Sequence, residues 1–261
     1  MGSQVPFTPE DLKAAPKSGA DFVKSLQAER KRKYSEAPPF LAAIISGEAT
    51  KEDLQLWVKD FYPYWDEGLV YATGAIYTKN NDEPTRTQML RRLVDIEGKE
   101  IVNDLTGWTT PAYEELWLRF GEGLGLDRSE VSEFQQFTRT YMAMRALMTY
   151  SRHWEWNWLD GIATWYAADL NWQEYYPLIR ASLKEKYNVP EGALYFFDVF
   201  RDDMESHITW EAEALTYWPC TTERQLAAAR AFRERLDIED QLFVALNAAR
   251  TGDRMPFQVP V

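Results

Sequence analysis

The chain lacks most of the residues that would signal secretion, redox pairing or phosphate binding. It has a single cysteine, Cys220, in 261 residues. An intrachain disulfide is therefore impossible, and a reducing compartment is the simpler setting. The opening Met1-Gly2-Ser3-Gln4-Val5-Pro6 has no basic start followed by an apolar run, so no signal peptide is expected. Pro6 stands where a myristoylation pattern needs Ser or Thr. No apolar stretch is long enough to span a bilayer. These absences predict a cytoplasmic protein with no membrane partner. Positive charge is also scarce: 29 Lys and Arg against 41 Asp and Glu give a net charge of −12. That balance argues against nucleic acid and anionic membranes as main partners, while leaving room for an anionic substrate in a local basic pocket. No Gly-rich phosphate loop, Cys-x-x-Cys or Gly-x-Ser-x-Gly element occurs. Strand signals are nearly missing, and no repeat or low-complexity block interrupts the chain.

Apolar residues, by contrast, are plentiful. They make up 45% of the chain, a globular composition, and 11 Trp, 14 Tyr and 13 Phe bring the aromatic share to 15%. Much of this must be core, but so many rings also suit a pocket walled by flat surfaces. The periodicity predicts helices over 20–34, 51–78 with a kink at Pro63, 85–105, 111–120, 128–150, 152–187 with a break at Gly161, 191–217 and 222–250, and residues 40–46 read as a short apolar turn ending at Gly47. Thr50 and Thr221 read as N-caps, and Asp127-Arg128-Ser129-Glu130 as a capping box. The expectation is one all-α domain over residues 1–261, a bundle of about seven helices. An arm (1–18) precedes it, and a polar, extended tail (252–261) follows.

Three of these helices carry ionisable groups on faces whose spacing predicts core. Glu97 lies between Leu93 and Ile101, with Asp104 seven residues on and Glu100 one turn from both. Asp169 lies between Trp165 and Trp172. On the helix 191–217 the stripe runs Phe196, Phe200, Asp203, His207, and the last two are i and i+4. A carboxylate on an apolar stripe is costly unless it is paired or bound to metal. Two readings follow. The groups could form a metal centre in the bundle, with iron the natural ion for carboxylates plus imidazole. Alternatively, Asp203 and His207 could be a structural pair, with Glu97 and Asp169 tied to backbone or to a buried arginine such as Arg145 or Arg152. His153, in a Trp-rich stretch, reads as a packing residue, and Cys220 as inert.

Four segments carry a family resemblance. Ser46-Gly47-Glu48-Ala49-Thr50 leads into Leu54-Gln55-Leu56-Trp57-Val58 and the aromatic Phe61, Tyr62 and Tyr64. Leu93-Val94-Asp95-Ile96-Glu97-Gly98 and Leu116-Trp117-Leu118-Arg119-Phe120-Gly121 through Leu124-Gly125-Leu126 follow. Leu183-Lys184-Glu185-Lys186-Tyr187, Tyr195-Phe196 and Asp203…His207 close the series. In this order the segments resemble the haem-oxygenase-like superfamily. That superfamily holds pyrroloquinoline-quinone synthase, the TenA-type thiaminases and the haem-oxygenase-like di-iron oxidases. The resemblance implies a helical bundle with a central pocket, commonly dimeric. From the oxidases it implies iron on Glu97, Glu100 or Asp104, Asp169, Asp203 and His207, although the family histidine four residues before the last Asp falls on Val199. The quinone synthase works without metal. Its pocket arginine and glutamine fall here on Phe61 and Trp65, and its Glu and His on Trp165 and Trp172, so rings stand where that enzyme has polar groups. A thiaminase needs a cysteine in the third core helix, and none stands there.

The leading expectation is therefore an O2-dependent oxidase or oxygenase acting on a small aromatic or apolar metabolite. Iron would be held by Glu97, Glu100, Asp104, Asp169, Asp203 and His207, in a homodimer. Tyr62, Tyr64, Trp65, Tyr166 and Trp172 would shape the pocket. The alternatives are a cofactor-free oxidase with His207 as general base and Asp203 beside it, and a non-catalytic binder of a small ligand.

Overall fold

The computed structural model describes residues 11–98, 110–152 and 157–252, and every described element is helical. Helix α1 (Gly19–Lys33) starts at Ser18, whose hydroxyl accepts from the Asp21 N–H. A short α2 (Pro39–Ser46) follows. Helix α3 (Lys51–Pro63) opens on the capping box of Thr50 and Asp53. Pro63 has no N–H to continue an α ladder. The chain passes through a π turn at Tyr64–Gly68 and resumes as α4 (Leu69–Lys79), which is the expected kink.

Helix α5 (Glu83–Glu97) is shorter than the spacing suggests. It stops at Gly98, whose φ of +91° suits glycine and whose missing Cβ would stand 2.4 Å from the Ala112 nitrogen. Residues 99–109, the rest of the expected helix, lie outside the described residues. Its buried face is also rotated from the expected one. Met89, Arg92 and Ile96 point inward, while Leu90 is 48% exposed.

Helices α6 (Tyr113–Gly123) and α7 (Arg128–Ser132) follow, the latter on the expected Asp127/Glu130 box. The anticipated continuous run to 150 is broken, and α8 (Thr138–Arg152) begins anew. Asp60, fully buried on α3, accepts from the Phe137 N–H at 2.8 Å and the Thr140 hydroxyl at 2.6 Å. It thus caps α8 from another helix. Helix α9 (Trp158–Glu185) runs through Gly161 without a break and is buried nearly all round, as a central helix must be. After a 3-10 turn at Glu191–Leu194, α10 (Tyr195–Tyr217) and α11 (Thr222–Arg250) pack along α9 on either side. The short α2 and α7 and the division at Pro63 add to the about seven long helices expected. No helix among the described residues is long and apolar enough to cross a membrane.

One end of the interior is built almost entirely of rings. Trp65 packs edge-on against Phe196 and Phe200 and lies 5.3 Å from Trp117, centroid to centroid. Trp117 also donates to the Val58 carbonyl at 2.9 Å. This dry block fixes α3, α6 and α10 against one another and leaves the polar groups of the interior to its other end.

Candidate active site

The polar end is assembled from α5, α6, α9, α10 and α11. Arg92, on the buried stripe of α5, reaches α9 with a two-pronged bond to Asp169. Nη2 donates to Oδ1 at 2.8 Å and Nη1 to Oδ2 at 2.9 Å. Its Nη1 also donates to Glu211 of α10 at 2.6 Å. All three side chains are buried, and the guanidinium lies 4.1 Å from the Trp165 ring centroid. Burial works against the Arg92 charge, but Asp169 and Glu211 outweigh it and hold the guanidinium above its ordinary pKa. Burial, with the negative Asp169 close by, raises the Glu211 carboxyl well above the usual range against the pull of Arg92. Arg92 therefore bridges two carboxyl groups, and of these burial beside Asp169 favours the protonated form of Glu211.

His207 stands one turn before Glu211 on α10. Its Nε2 is 3.0 Å from Asp95 Oδ2 of α5, and its Nδ1 is 3.8 Å from Asp169 Oδ2. With Asp95 as acceptor, Nε2 carries the proton and Nδ1 is left as the basic nitrogen. Trp210 covers the imidazole edge-on. A second oxygen pair closes this corner, where the buried Tyr113 hydroxyl of α6 donates to Asp203 Oδ2 at 2.9 Å. Burial and the neighbouring Asp203 and Asp95 charges keep that phenol protonated far above its ordinary range.

Further along α9, the same face presents Trp165, Asp169, Trp172 and Tyr176. It meets a second buried arginine, Arg235 of α11, 5.4 Å from the Trp165 centroid. Arg235 Nη2 donates to the Tyr64 hydroxyl at 2.6 Å and lies 2.5 Å from Glu239 Oε1. Burial lifts Glu239 to about 7, opposed by Arg235 and assisted by Asp169. Around this centre several buried donors have no hydrogen-bond partner among the described residues: Arg235 Nε and Nη1, Trp165 Nε1, Trp172 Nε1 and the Tyr176 hydroxyl. The interior is thus rich in donors, and an acceptor-bearing ligand would match it.

Several expected positions need correction. Glu97 is exposed at the last position of α5, because the buried face is that of Arg92 and Ile96. Glu100, Asp104 and His153 lie outside the described residues. Asp203 and His207 share a helix, and Tyr113 donates to the first while Asp95 faces the second. Tyr62 donates to Glu114 at 2.6 Å at the edge between α3 and α6. Tyr166 accepts from Gln27 at 2.8 Å and packs on Phe232. Tyr64, Trp65 and Trp172 are interior, as expected. The spacing argument missed Arg92, Asp95, Tyr113, Glu211, Arg235 and Glu239. The signal was present for two of them. Arg92 falls between Met89 and Ile96, and Arg235 lies one turn from Ala231 and Glu239, both at core spacing.

Iron does not fit these side chains. Both oxygens of Asp169 are engaged by Arg92, and Glu211 binds the same guanidinium. A positive group already sits where the carboxylates converge. Among the described residues no three His, Cys, Asp or Glu side chains form a metal-holding set. Cys220 is exposed beyond α10 and remote from the interior stripe.

Comparison with known proteins agrees with this architecture. The model of the TENA/THI-4/PQQC family matches residues 24–234. The chain is similar to the pyrroloquinoline-quinone synthase of Cronobacter sakazakii, at 27% identity over 98% of this chain and 94% of that protein. Among solved structures it resembles a CADD-like protein of unknown function from Nostoc punctiforme. The TM-score is 0.68 at 15% identity, over 88% of this chain and 99% of the other. It also resembles a domain of unknown function with a heme oxygenase-like fold from Shewanella denitrificans. There the TM-score is 0.64 at 16% identity, over 92% of this chain and 95% of the other. These likenesses show the expected haem-oxygenase-like fold.

Proposed function

The chain belongs to the TENA/THI-4/PQQC family, and from that premise we propose that it is a cofactor-free oxidase of a small aromatic molecule carrying hydrogen-bond acceptors. The observation that carries this reading is the Asp95–His207 dyad, at 3.0 Å, beside a buried arginine centre. Asp95 holds the imidazole in one tautomer, so His207 Nδ1 can take a proton from an acidic C–H, N–H or O–H of the substrate. The anion that results is favoured by the guanidinium and indole N–H donors gathered around Trp165. Dioxygen is the oxidant. The anion passes two electrons to it, and the two substrate hydrogens leave as protons. The balance is SH2 + O2 → S + H2O2. Glu211, whose protonated form is favoured by burial beside Asp169, is the group placed to hold a second proton close to the site.

The test is peroxide formation from a panel of quinols, aminophenols and enols, in protein treated with a strong chelator. The expected result is chelator-insensitive turnover that falls at least about a hundredfold in His207→Ala, with the helical melt retained. Turnover that tracks added iron, or a fully active His207→Ala, would overturn the reading. Tight binding with no peroxide would point instead to a binder.

A narrower reading is that the chain makes pyrroloquinoline quinone, as the name of its relative says. The interior speaks against it. Phe61, Trp65 and Trp172 are buried in ring packing, and Trp165 is buried beneath the Arg92 guanidinium. Arg92 and Arg235 each already face a carboxylate, Asp169 and Glu239, so a polycarboxylated precursor would bring more negative charge than these two cations balance. Complementation of a strain lacking its own pyrroloquinoline-quinone synthase is expected to fail.

A further inference from the structure

An open groove of about 1230 Å³ runs between α8 and α11, bordered by Leu56 of α3. None of its lining residues belongs to the candidate active site. Its floor is small and apolar, with Ala143 and Ala146 on α8 and Ala245 and Ala248 on α11. Met142 stands out from the α8 wall 60% exposed. Alanines on two neighbouring helices let a further helix approach closely, and an exposed methionine is a knob that such a floor accepts.

The two ends of the groove differ in charge. Asp60 of α3 holds the start of α8, and the adjacent Phe61 stacks on Phe243 of α11 at 5.2 Å. The start of α8 is therefore level with the second half of α11. Glu234, in the first half of α11, acts electrostatically on Asp160 in the first turn of α9. The two helices thus run antiparallel along the groove. Arg139, exposed at the start of α8, makes no ion pair among the described residues. Asp237 precedes Phe243 by about 9 Å of helix and so lies toward the opposite end, 70% exposed. Its partner Lys33 is shared with Asp240, which leaves one negative charge over at that end.

An unbalanced cation at one end of an apolar trough and an unbalanced anion at the other make a surface that fits itself. In a two-fold contact, residue i of one copy meets residue j of the other, and j meets i. Turning one copy by 180° about an axis across the groove near Met142 and Gln241 brings each Arg139 to the Asp237 of the other copy. Each Met142 then lies over the alanines opposite. An amphiphile with a single charge would leave one end unmatched, so a second copy is the occupant that both ends favour.

We propose that α8 and α11 form the interface of a symmetric homodimer. Met142 of each copy packs on the Ala143 and Ala146 floor of the other, and two equivalent Arg139–Asp237 ion pairs flank the axis.

Sedimentation velocity of the full chain tests this. A species of twice the chain mass is expected. Arg139→Asp and Asp237→Arg, each alone, set like charges opposite one another twice and should weaken the dimer at least about tenfold. Mixing the two variants restores two pairs of opposite charge in a heterodimer, and the mixture should regain most of the lost affinity. Met142→Glu puts a charge on the alanine floor and should weaken the dimer in low and high salt alike, whereas the two charge reversals should recover in part at high salt. Helical melts by circular dichroism show that each variant is folded. A chain that stays monomeric up to about 100 µM would overturn the proposal and leave the groove to a small apolar ligand. A dimer indifferent to both charge reversals, or a loss that mixing does not reverse, would overturn it as well.

Discussion

Arg92 and Arg235, both buried, lie over the same indole, yet they are satisfied to different degrees. Arg92 makes three bonds to two carboxylates, and its partner Asp169 has both oxygens engaged. Arg235 makes one clear bond, to Tyr64, and leaves Nε and Nη1 without partners among the described residues. Both are buried to the same extent, so burial does not explain the difference. What differs is the anionic company. Arg92 faces two acids from other helices, which can converge on it. Arg235 faces Glu239 on its own helix, one turn away, where the geometry allows an ion pair but a poor hydrogen bond. The first centre is a closed clamp joining α5, α9 and α10. The second is half-filled and is the better place for a ligand to add acceptors.

The sharpest way to break this comparison is to remove the clamp. Arg92→Leu would strand Asp169, buried and charged, beside Glu211. Loss of one partner of a buried pair costs about 3–5 kcal/mol, so the variant should unfold at much lower urea or not fold at all. Arg235→Met should cost less, about 1–3 kcal/mol near neutral pH. Glu239 already titrates at about 7 and can neutralise itself by taking a proton. The cost of Arg235→Met should therefore shrink in mild acid, while that of Arg92→Leu should persist. Equal and pH-independent losses in urea melts would erase the distinction.

How much of this was open to reading beforehand depends on the kind of signal. Caps written in neighbouring residues were legible: Thr50 and Thr221 each start the helix expected of them, and Asp127 closes its expected box although the helix it opens stops at Ser132. The cap of α8 was not, because Asp60 supplies it from 77 residues away in sequence. The acid stripe of α5 was misjudged by about one position, and that moved Glu97 into the interior when the buried ionic residue of that face is Arg92. A helix with apolar residues on more than one side leaves its register open until its neighbours are known. Asp169 and His207 were found because each interrupts a run of rings. Their partners were not, since arginine and glutamate at core spacing read by habit as surface residues.

A smaller effect concerns pH. Burial raises Asp60 to about 7, Asp160 to about 6 and Glu239 to about 7, from ordinary values of 3.8, 3.8 and 4.5. Between about pH 4 and pH 7 the folded chain therefore holds more protons than the unfolded one, and stability falls as pH rises through that window. Reduced self-repulsion of a chain with net charge −12 works in the same direction. The midpoint of thermal unfolding should be higher at about pH 5 than at about pH 8. Glu239→Gln should flatten the upper part of that slope, and Asp60→Asn should do so independently.

The smallest expected change tests whether Glu211 is held neutral. Its Oε1 accepts from Arg92, and its Oε2 has no partner among the described residues. Glutamine keeps the accepting oxygen, the length and the absence of charge. If the carboxyl is protonated in the folded state, Glu211→Gln removes no charge from the centre, and stability at neutral pH should change by less than about 1 kcal/mol. An ionised Glu211 would behave otherwise: its replacement would leave Arg92 with one counter-charge in place of two. The loss would then grow as pH rises. A urea series at two pH values distinguishes the cases. A flat, small difference would mean that Arg92 and Asp169 alone hold the clamp, with Glu211 free to lend or take a proton beside His207.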